Sequence, residues 1–214
     1  MISIIIPILN EEHILTEKQD YFLNLKERLP IIFVDGGSSD NSVAIAQKYG
    51  SVIQTTKGRA HQKNVGANFA TEDVLLFLHV DSFITNSALK HLQYTDLSGY
   101  VGGCFTMNIL DTRKVFRLYE RCVNNHAKKN GLIDGDLGLF VKKKNYEALG
   151  GFKLVAIMDD IEFSDRLRKM GQLKYFNEYV NVSSRRWDSQ GFISTLWRYT
   201  LAYVQYHTGI KFFK

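Results

Sequence analysis

The chain has 214 residues and a formal net charge of +5 at neutral pH. That length can bury a substantial core without disulfide or metal staples and is read as one domain, 1–214. Two cysteines, Cys104 and Cys122, are too few for a disulfide framework and read as buried thiols of a reducing compartment.

The first nine residues, MISIIIPIL, are apolar but lack a basic flank and a small-residue cleavage site, so they read as a first strand over 3–8 and not as a signal peptide. A polar, amphipathic stretch predicts a helix over 11–28, followed by a strand over 31–34 that ends on Asp35. Gly36 to Asn41 is a turn that caps a helix over 42–49, and Gly50 stops it. A third strand covers 52–55, a helix opens at Lys57-Gly58-Arg59 and runs to Ala70, and the run VLLFL from Val74 forms a fourth strand. An apolar run without alternation marks a strand buried on both faces. Four such strand–helix units with short connections predict an α/β fold with a mostly parallel sheet flanked by helices.

Beyond Ser82 the pattern loosens. Helices are expected over 86–93, 113–129, 143–149 and 160–169, and strands over 100–109 and 137–141. Residues 183–187 read as extended chain or loop, and an aromatic-rich helix covers 192–206. Residues 1–82 therefore form a nucleotide-binding half, 83–190 an acceptor-binding half and 191–214 a terminal helix.

In open α/β sheets ligands bind beyond the carboxyl ends of the strands. Pro7, Asn10 and Glu11 collect there after the first strand, Asp35 after the second, Lys57 and Arg59 after the third, and His79 and Asp81 after the fourth. Carboxylates and amides suit ribose and base, cations suit a diphosphate, and a strand-end aspartate suits a bridging divalent metal. Each residue also has a plain structural reading. Asp35 can close a turn on the amides of Gly37 or Ser38, Asp159 and Asp160 can favour the start of their helix, and His79 can simply pack. Asp134 and Asp136 read equally as acceptor-side groups or as a turn. Gln62 and Asn64 either reach the nucleotide or its metal shell or lie on a solvated helix face.

The segments SIIIPILNEE, IIFVDGGSSDNS, KGRAHQKNVGANFATEDVLLFLHVDS, DGDLGLFVKKKNYEALGGF, MDDIEFSDRLRKMG and SRRW resemble, in order and spacing, the family 2 glycosyltransferases of GT-A fold. The closest likeness is to a small cytoplasmic subgroup with GRAxQxNxGA and LHxD motifs. The resemblance implies a transferase that moves a sugar from a nucleoside-diphosphate sugar to an acceptor hydroxyl with inversion, using Mg²⁺ or Mn²⁺. It implies that Pro7, Asn10, Glu11 and Asp35 border base and ribose, that Gly58 and Arg59 approach base and phosphates, and that Asp81 holds the metal. Asp160, preceded by Asp159, corresponds to the general base, and Arg186 and Trp187 to groups near the leaving diphosphate and the acceptor. His79 replaces the first carboxylate of the family's metal motif, Asp159 stands where glutamate is usual, and the glutamine of the processive members' QxxRW is absent.

The rival enzyme class, a nucleotidyltransferase, expects a glycine-rich loop after the first strand, where this chain has PILNEE. A sugar-nucleotide-binding or membrane-associated protein without turnover is the non-enzymatic alternative. The partner expected is a nucleotide sugar and not nucleic acid, with a lipid-linked or small-molecule acceptor. The expected location is cytoplasmic. The aromatic C-terminal segment, with Arg198, Lys211 and Lys214, permits a peripheral seat on the inner face of the membrane, although packing on the core or on a second subunit is the commoner use of such a helix.

Overall fold

A computed structural model of the chain describes residues 1–155 and 157–208. Strands β1 (Ile2–Ile8), β2 (Ile31–Asp35), β3 (Ser51–Gln54) and β4 (Val74–Phe77) are joined by helices α1 (Glu12–Glu17), α2 (Gln19–Lys26), α3 (Ser42–Ala46) and α4 (Arg59–Phe69). The chain continues through β5 (Ser82–Ile84), α5 (Asn86–Tyr94), β6 (Gly102–Ile109), α6 (Lys114–Asn130), a short 3₁₀ turn (Gly135–Leu137), β7 (Phe140–Lys142), α7 (Lys143–Ala148), α8 (Asp159–Leu167) and β8 (Leu173–Val182). Helices α9 (Arg185–Gln190) and α10 (Phe192–Thr208) follow.

The strands form one sheet in the order β3-β2-β1-β4-β7-β6-β8-β5. The first four pair in parallel, and beyond β4 the sheet is mixed, with β7 antiparallel to both its neighbours and β8 parallel to β6. The near-unbroken burial of β1 and β2 follows from helices covering both faces.

The antiparallel β4–β7 pairing positions the site. Leu76 faces Phe140 across the ladder, and the Phe77 amide donates to the Leu139 carbonyl. The residues just before β7 therefore lie beside the residues just after β4. The turn holding Asp134 and Asp136 is thereby folded against His79, 57 residues away in sequence.

Several expectations are corrected. The first helix is broken at Lys18, which caps both α1 and α2. The strand expected over 137–141 begins at Phe140, because Gly135–Leu137 winds as 3₁₀. Residues 183–187 are not extended throughout, since α9 starts at Arg185. Strands β5 and β8 were not anticipated. The polar alternation of LKYFNEYVNV masks β8, and three residues are too few for β5 to show a period. Cys104 is buried as expected, but Cys122 is exposed.

Gln62 and Asn64 do not lie on a solvated helix face: Gln62 is buried and lines the cavity beside Pro7, Gly58 and Asp81, and Asn64 is partly buried. The Gln62 side-chain amide donates to the carbonyls of Ile8 (3.0 Å) and Val34 (2.7 Å), tying α4 to the ends of β1 and β2. The Asn64 amide donates to the Phe152 carbonyl, and its oxygen accepts from the Phe152 amide and the Tyr146 hydroxyl. Both are internal braces that hold α4 in register with the site. Gln62→Ala leaves two buried carbonyls without this donor, and urea denaturation should register a loss of about 1–3 kcal/mol.

Candidate active site

Two cavities meet at the carboxyl edge of the parallel strands. One, about 590 Å³, is lined by Pro7 and Glu11 after β1, by Lys57, Gly58 and Arg59 before α4, and by His79 and Asp81 after β4. The other, about 290 Å³, is lined by Asp134 and Asp136, by Asp159 and Asp160 at the start of α8, and by Arg198 and Tyr199 of α10. Arg59 and His79 line both.

Asp35 and Asn10 are not among the residues that line the first cavity. The Asp35 carboxylate accepts from the amides of Gly37 and Ser38 (each 3.1 Å) and from the Ser38 hydroxyl, which is the turn reading. Asn10, at a left-handed φ of 54°, accepts from the Ser39 amide at 2.8 Å. These bonds shape the loop beside Pro7 and Glu11. Gly58 has φ 145°, a backbone that side chains resist, and this lets the chain turn sharply so that Arg59 opens α4 facing both cavities.

Bonded to Asp159 and Asp160, and not itself lining the second cavity, is a residue that sequence reasoning missed. Lys63 is 1% exposed. Its ammonium donates to Asp159 Oδ2 at 2.8 Å and to Asp160 Oδ1 at 2.5 Å, and it sits 4.8 Å from the centre of the Phe152 ring. A lysine is buried in this way only when paired. Arg59 adds a longer contact, 3.8 Å from Nε to Asp159 Oδ1. Burial alone raises the Asp159 carboxyl, but the charges of Lys63 and then Arg59 outweigh it and hold the group below the usual carboxylate range. The signal available in sequence was thin: a lysine one turn after Arg59, and two adjacent aspartates with no cation near them in the chain.

His79, Asp81 and Asp136 are all wholly or partly buried, with ligand-capable atoms within 4.8 Å of one another. Two ligands on opposite sides of one ion lie about 4.2 Å apart at metal–oxygen bonds of about 2.1 Å, so small side-chain adjustments would close the set. His79 Nδ1 and Asp136 Oδ1 are 2.9 Å apart, whereas the buried Nε2 has no hydrogen-bond partner and lies 3.9 Å from Asp160 Oδ2. An orphaned imidazole nitrogen among carboxylates is the donor pattern a divalent cation fits. Gly135 is part of the same cradle. A Cβ there would come within 2.4 Å of Asp160 Oδ2 and 2.7 Å of His79 Nε2. Burial, and then the charge of Asp136, pushes the Asp134 carboxyl up to about 6.

The family's RW position is occupied differently from what was expected. Arg185 reaches the site, pairing with Glu11 Oε2 at 2.5 Å and lying 3.8 Å from Asp81 Oδ2. The Arg186 side chain lies outside the described residues. Trp187 is buried against Phe116, Tyr119 and Tyr199, where it wedges α9 between α6 and α10 and lines neither cavity.

An α/β sheet of this order, with acidic groups gathered beyond β4, defines the GT-A class of nucleotide-sugar transferase folds. Residues 3–142 match the family described as Glycosyl transferase family 2, and the chain belongs to that family. A Haemophilus influenzae protein described as an uncharacterized glycosyltransferase is 31% identical over 102 residues, covering 42% of this chain and 40% of its own length. Among solved structures, residues 1–349 of TarS from S. aureus superpose with a TM-score of 0.67 at 18% identity, over 86% of this chain and 60% of that one. The mannosyltransferase PcManGT from Pyrobaculum calidifontis, in complex with GDP-Man and Mn²⁺, gives 0.64 at 17% identity, over 84% and 56%. The chain thus spans less than two thirds of the length of each of these relatives. Among the described residues no helix is long and apolar enough to cross a membrane.

Lys63→Ala should cost about 3–5 kcal/mol at neutral pH, because two buried carboxylates lose their cation. A carboxyl held low stabilises the fold above its unfolded value of about 3.9 and loses that contribution as pH falls through the folded value. The deficit of Lys63→Ala relative to wild type should therefore shrink only below about pH 4, measured by chemical denaturation at pH 7 and near pH 2.

Proposed function

We propose that the protein is a metal-dependent, inverting glycosyltransferase that moves a sugar from a nucleoside-diphosphate sugar to an acceptor hydroxyl. The observation that carries this reading is the junction of the two cavities. Arg59 and His79 stand between a cleft edged by Pro7, Glu11 and Gly58 and a pocket holding Asp159 and Asp160. The first cleft suits the donor, and the second suits the acceptor. The GDP-Man and Mn²⁺ of PcManGT support this class of donor and metal, as do the Mn²⁺, UDP and phosphoglyceric acid of the Mycobacterium tuberculosis glucosyl-3-phosphoglycerate synthase, a further structural neighbour at a TM-score of 0.58.

His79, Asp81 and Asp136 would hold the metal, which when bound supplies positive charge against the departing diphosphate. One imidazole with two carboxylates is a donor set that Mn²⁺ accepts more readily than Mg²⁺, which keeps to oxygen. Arg59 and Arg185 flank the same position and add fixed charge where the leaving group becomes negative. Across the junction, Asp160 accepts the proton of the acceptor hydroxyl as its oxygen closes on the anomeric carbon. Lys63 holds Oδ1 and so leaves Oδ2 turned toward His79 and Gly135. Attack from the face opposite the diphosphate inverts the anomeric centre, and no enzyme-bound sugar is needed.

Asp81→Ala should abolish the Mn²⁺-dependent rise in melting temperature on adding UDP or GDP, since ligand bound to the native state raises its stability. An unchanged shift would remove Asp81 from the site. Asp160→Asn should keep that shift while lowering transfer by about 10²–10⁴-fold, read by release of nucleoside diphosphate with a panel of nucleotide sugars. Transfer at the wild-type rate would mean another residue takes the proton. Gly135→Ala should lower the affinity for Mn²⁺ by filling the space between His79 and Asp160, measured by titration of the metal.

A further inference from the structure

A third cavity, about 330 Å³, runs between α6 and α10. It adjoins the pocket that holds Asp159 and Asp160, and Asp134, Met158, Ile161 and Tyr199 line both. The remainder of its wall is mainly apolar, with Tyr119 and Val123 from α6, Leu132, and Leu196, Tyr203 and Val204 from α10. Two of its polar groups, His126 and the Tyr203 hydroxyl, are engaged with each other at 3.1 Å. Met158, in the wall the two share, has a left-handed φ of 61°, a backbone a non-glycine residue adopts only when its surroundings hold it there.

A sugar or small polar acceptor has no use for such a channel. Resting on the glycosyltransferase reading above, we propose that it seats the hydrocarbon part of a lipid acceptor, whose hydroxyl-bearing head enters the reaction pocket past Met158 and Tyr199. Adjacency to the pocket places head and tail on one path, and the surrounding charge fits a lipid drawn from an anionic bilayer. Helix α6 carries Lys114, Arg117, Arg121, Lys128 and Lys129 against Glu120 alone. Leu118 on α6 and Trp197 on α10 are 61% and 64% exposed on the two helices that wall the channel. Basic residues beside exposed aromatic and aliphatic ones are the composition of a surface that rests at a bilayer interface. In the transfer step the lipid hydroxyl oxygen forms the bond to the anomeric carbon and its proton passes to Asp160. The bond from that carbon to the diphosphate oxygen breaks, and its electron pair leaves with the nucleoside diphosphate.

The test uses n-alkyl glucosides from ethyl to decyl, below their micelle concentrations, titrated calorimetrically into the full chain, beside the Mn²⁺–nucleotide thermal shift on the same preparation. Affinity should tighten with each added methylene, by up to about fourfold at about 0.8 kcal/mol per buried CH₂. It should weaken at least tenfold for the longer chains in Leu196→Asp and in Val204→Asp, both at partly exposed positions, with circular dichroism melts showing that each variant folds. Sedimentation with vesicles should show binding to phosphatidylglycerol and little to phosphatidylcholine. Affinity independent of chain length, or folded variants that bind decyl glucoside like wild type, would overturn the lipid channel even where the nucleotide shift is intact. Loss of the nucleotide shift in wild type would instead strike the glycosyltransferase reading itself. A channel closed by self-association, seen as a dimer whose dissociation restores alkyl binding, would count against a lipid occupant.

Discussion

The buried ammonium of Lys63 is the contact on which the arrangement of the site depends. It joins α4, which belongs to the parallel part of the sheet, to α8, which follows the antiparallel return. Arg59, almost half exposed, reaches Asp159 at the longer distance of 3.8 Å. Taking three charges out of water is costly, and the cost is offset only where geometry is tight and the remaining lone pairs are used. Gln62 and Asn64, on either side of Lys63, supply the rigidity that makes such geometry possible, one bonded to the strand ends and the other to the loop before α8. Three consecutive residues of one helix thus tie together the site's carboxylates, its strand ends and its approach loop.

The second constraint is the reversal of direction between β4 and β7. A parallel partner at that place would have brought the start of its strand to the far edge of the sheet. The antiparallel one brings the Asp134–Asp136 turn to the edge where His79 and Asp81 emerge. Asp136 then supplies the carboxylate that the local motif lacks, since His79 occupies the first acidic position. Among the described residues, the cluster that could hold a metal is therefore assembled from the segment after β4 and the turn before β7, and the LHxD segment contributes two of its three members.

This explains what was legible in the sequence and what was not. The four strands and their intervening helices could be read because burial on both faces writes itself as apolar runs, and the end of each run marks the ligand edge. His79, Asp81, Glu11 and Arg59 follow from that reading. Asp136 does not, because DGDLG gives no sign of which strand its turn will face. Lys63 reads as one more polar residue on a polar helix until α8 is folded against it. The turn role of Asp35 was legible, since an aspartate two and three residues before the Gly37 and Ser38 amides is placed to close on them. In the SRRW segment, the inward course of Arg185 is set by its place at the start of α9 and by Trp187 locking into the aromatic cluster of Phe116, Tyr119 and Tyr199.

The Asp160 carboxylate shows how these constraints combine at one group. Its Oδ1 is committed to Lys63, and its Oδ2 faces His79 Nε2 and the bare Cα of Gly135. The two oxygens of one side chain are therefore unequal in surroundings, one locked to a cation and the other turned to open space beside the imidazole. A side chain at position 135 would occupy that space, and an unpaired Asp160 would be free to rotate away from it. The hydrogen bond to Lys63 and the missing Cβ of Gly135 hold a single geometry between them, from opposite sides. Neither is close to Asp160 in sequence, so the orientation of this aspartate is a property of the completed sheet and not of the MDD segment that carries it.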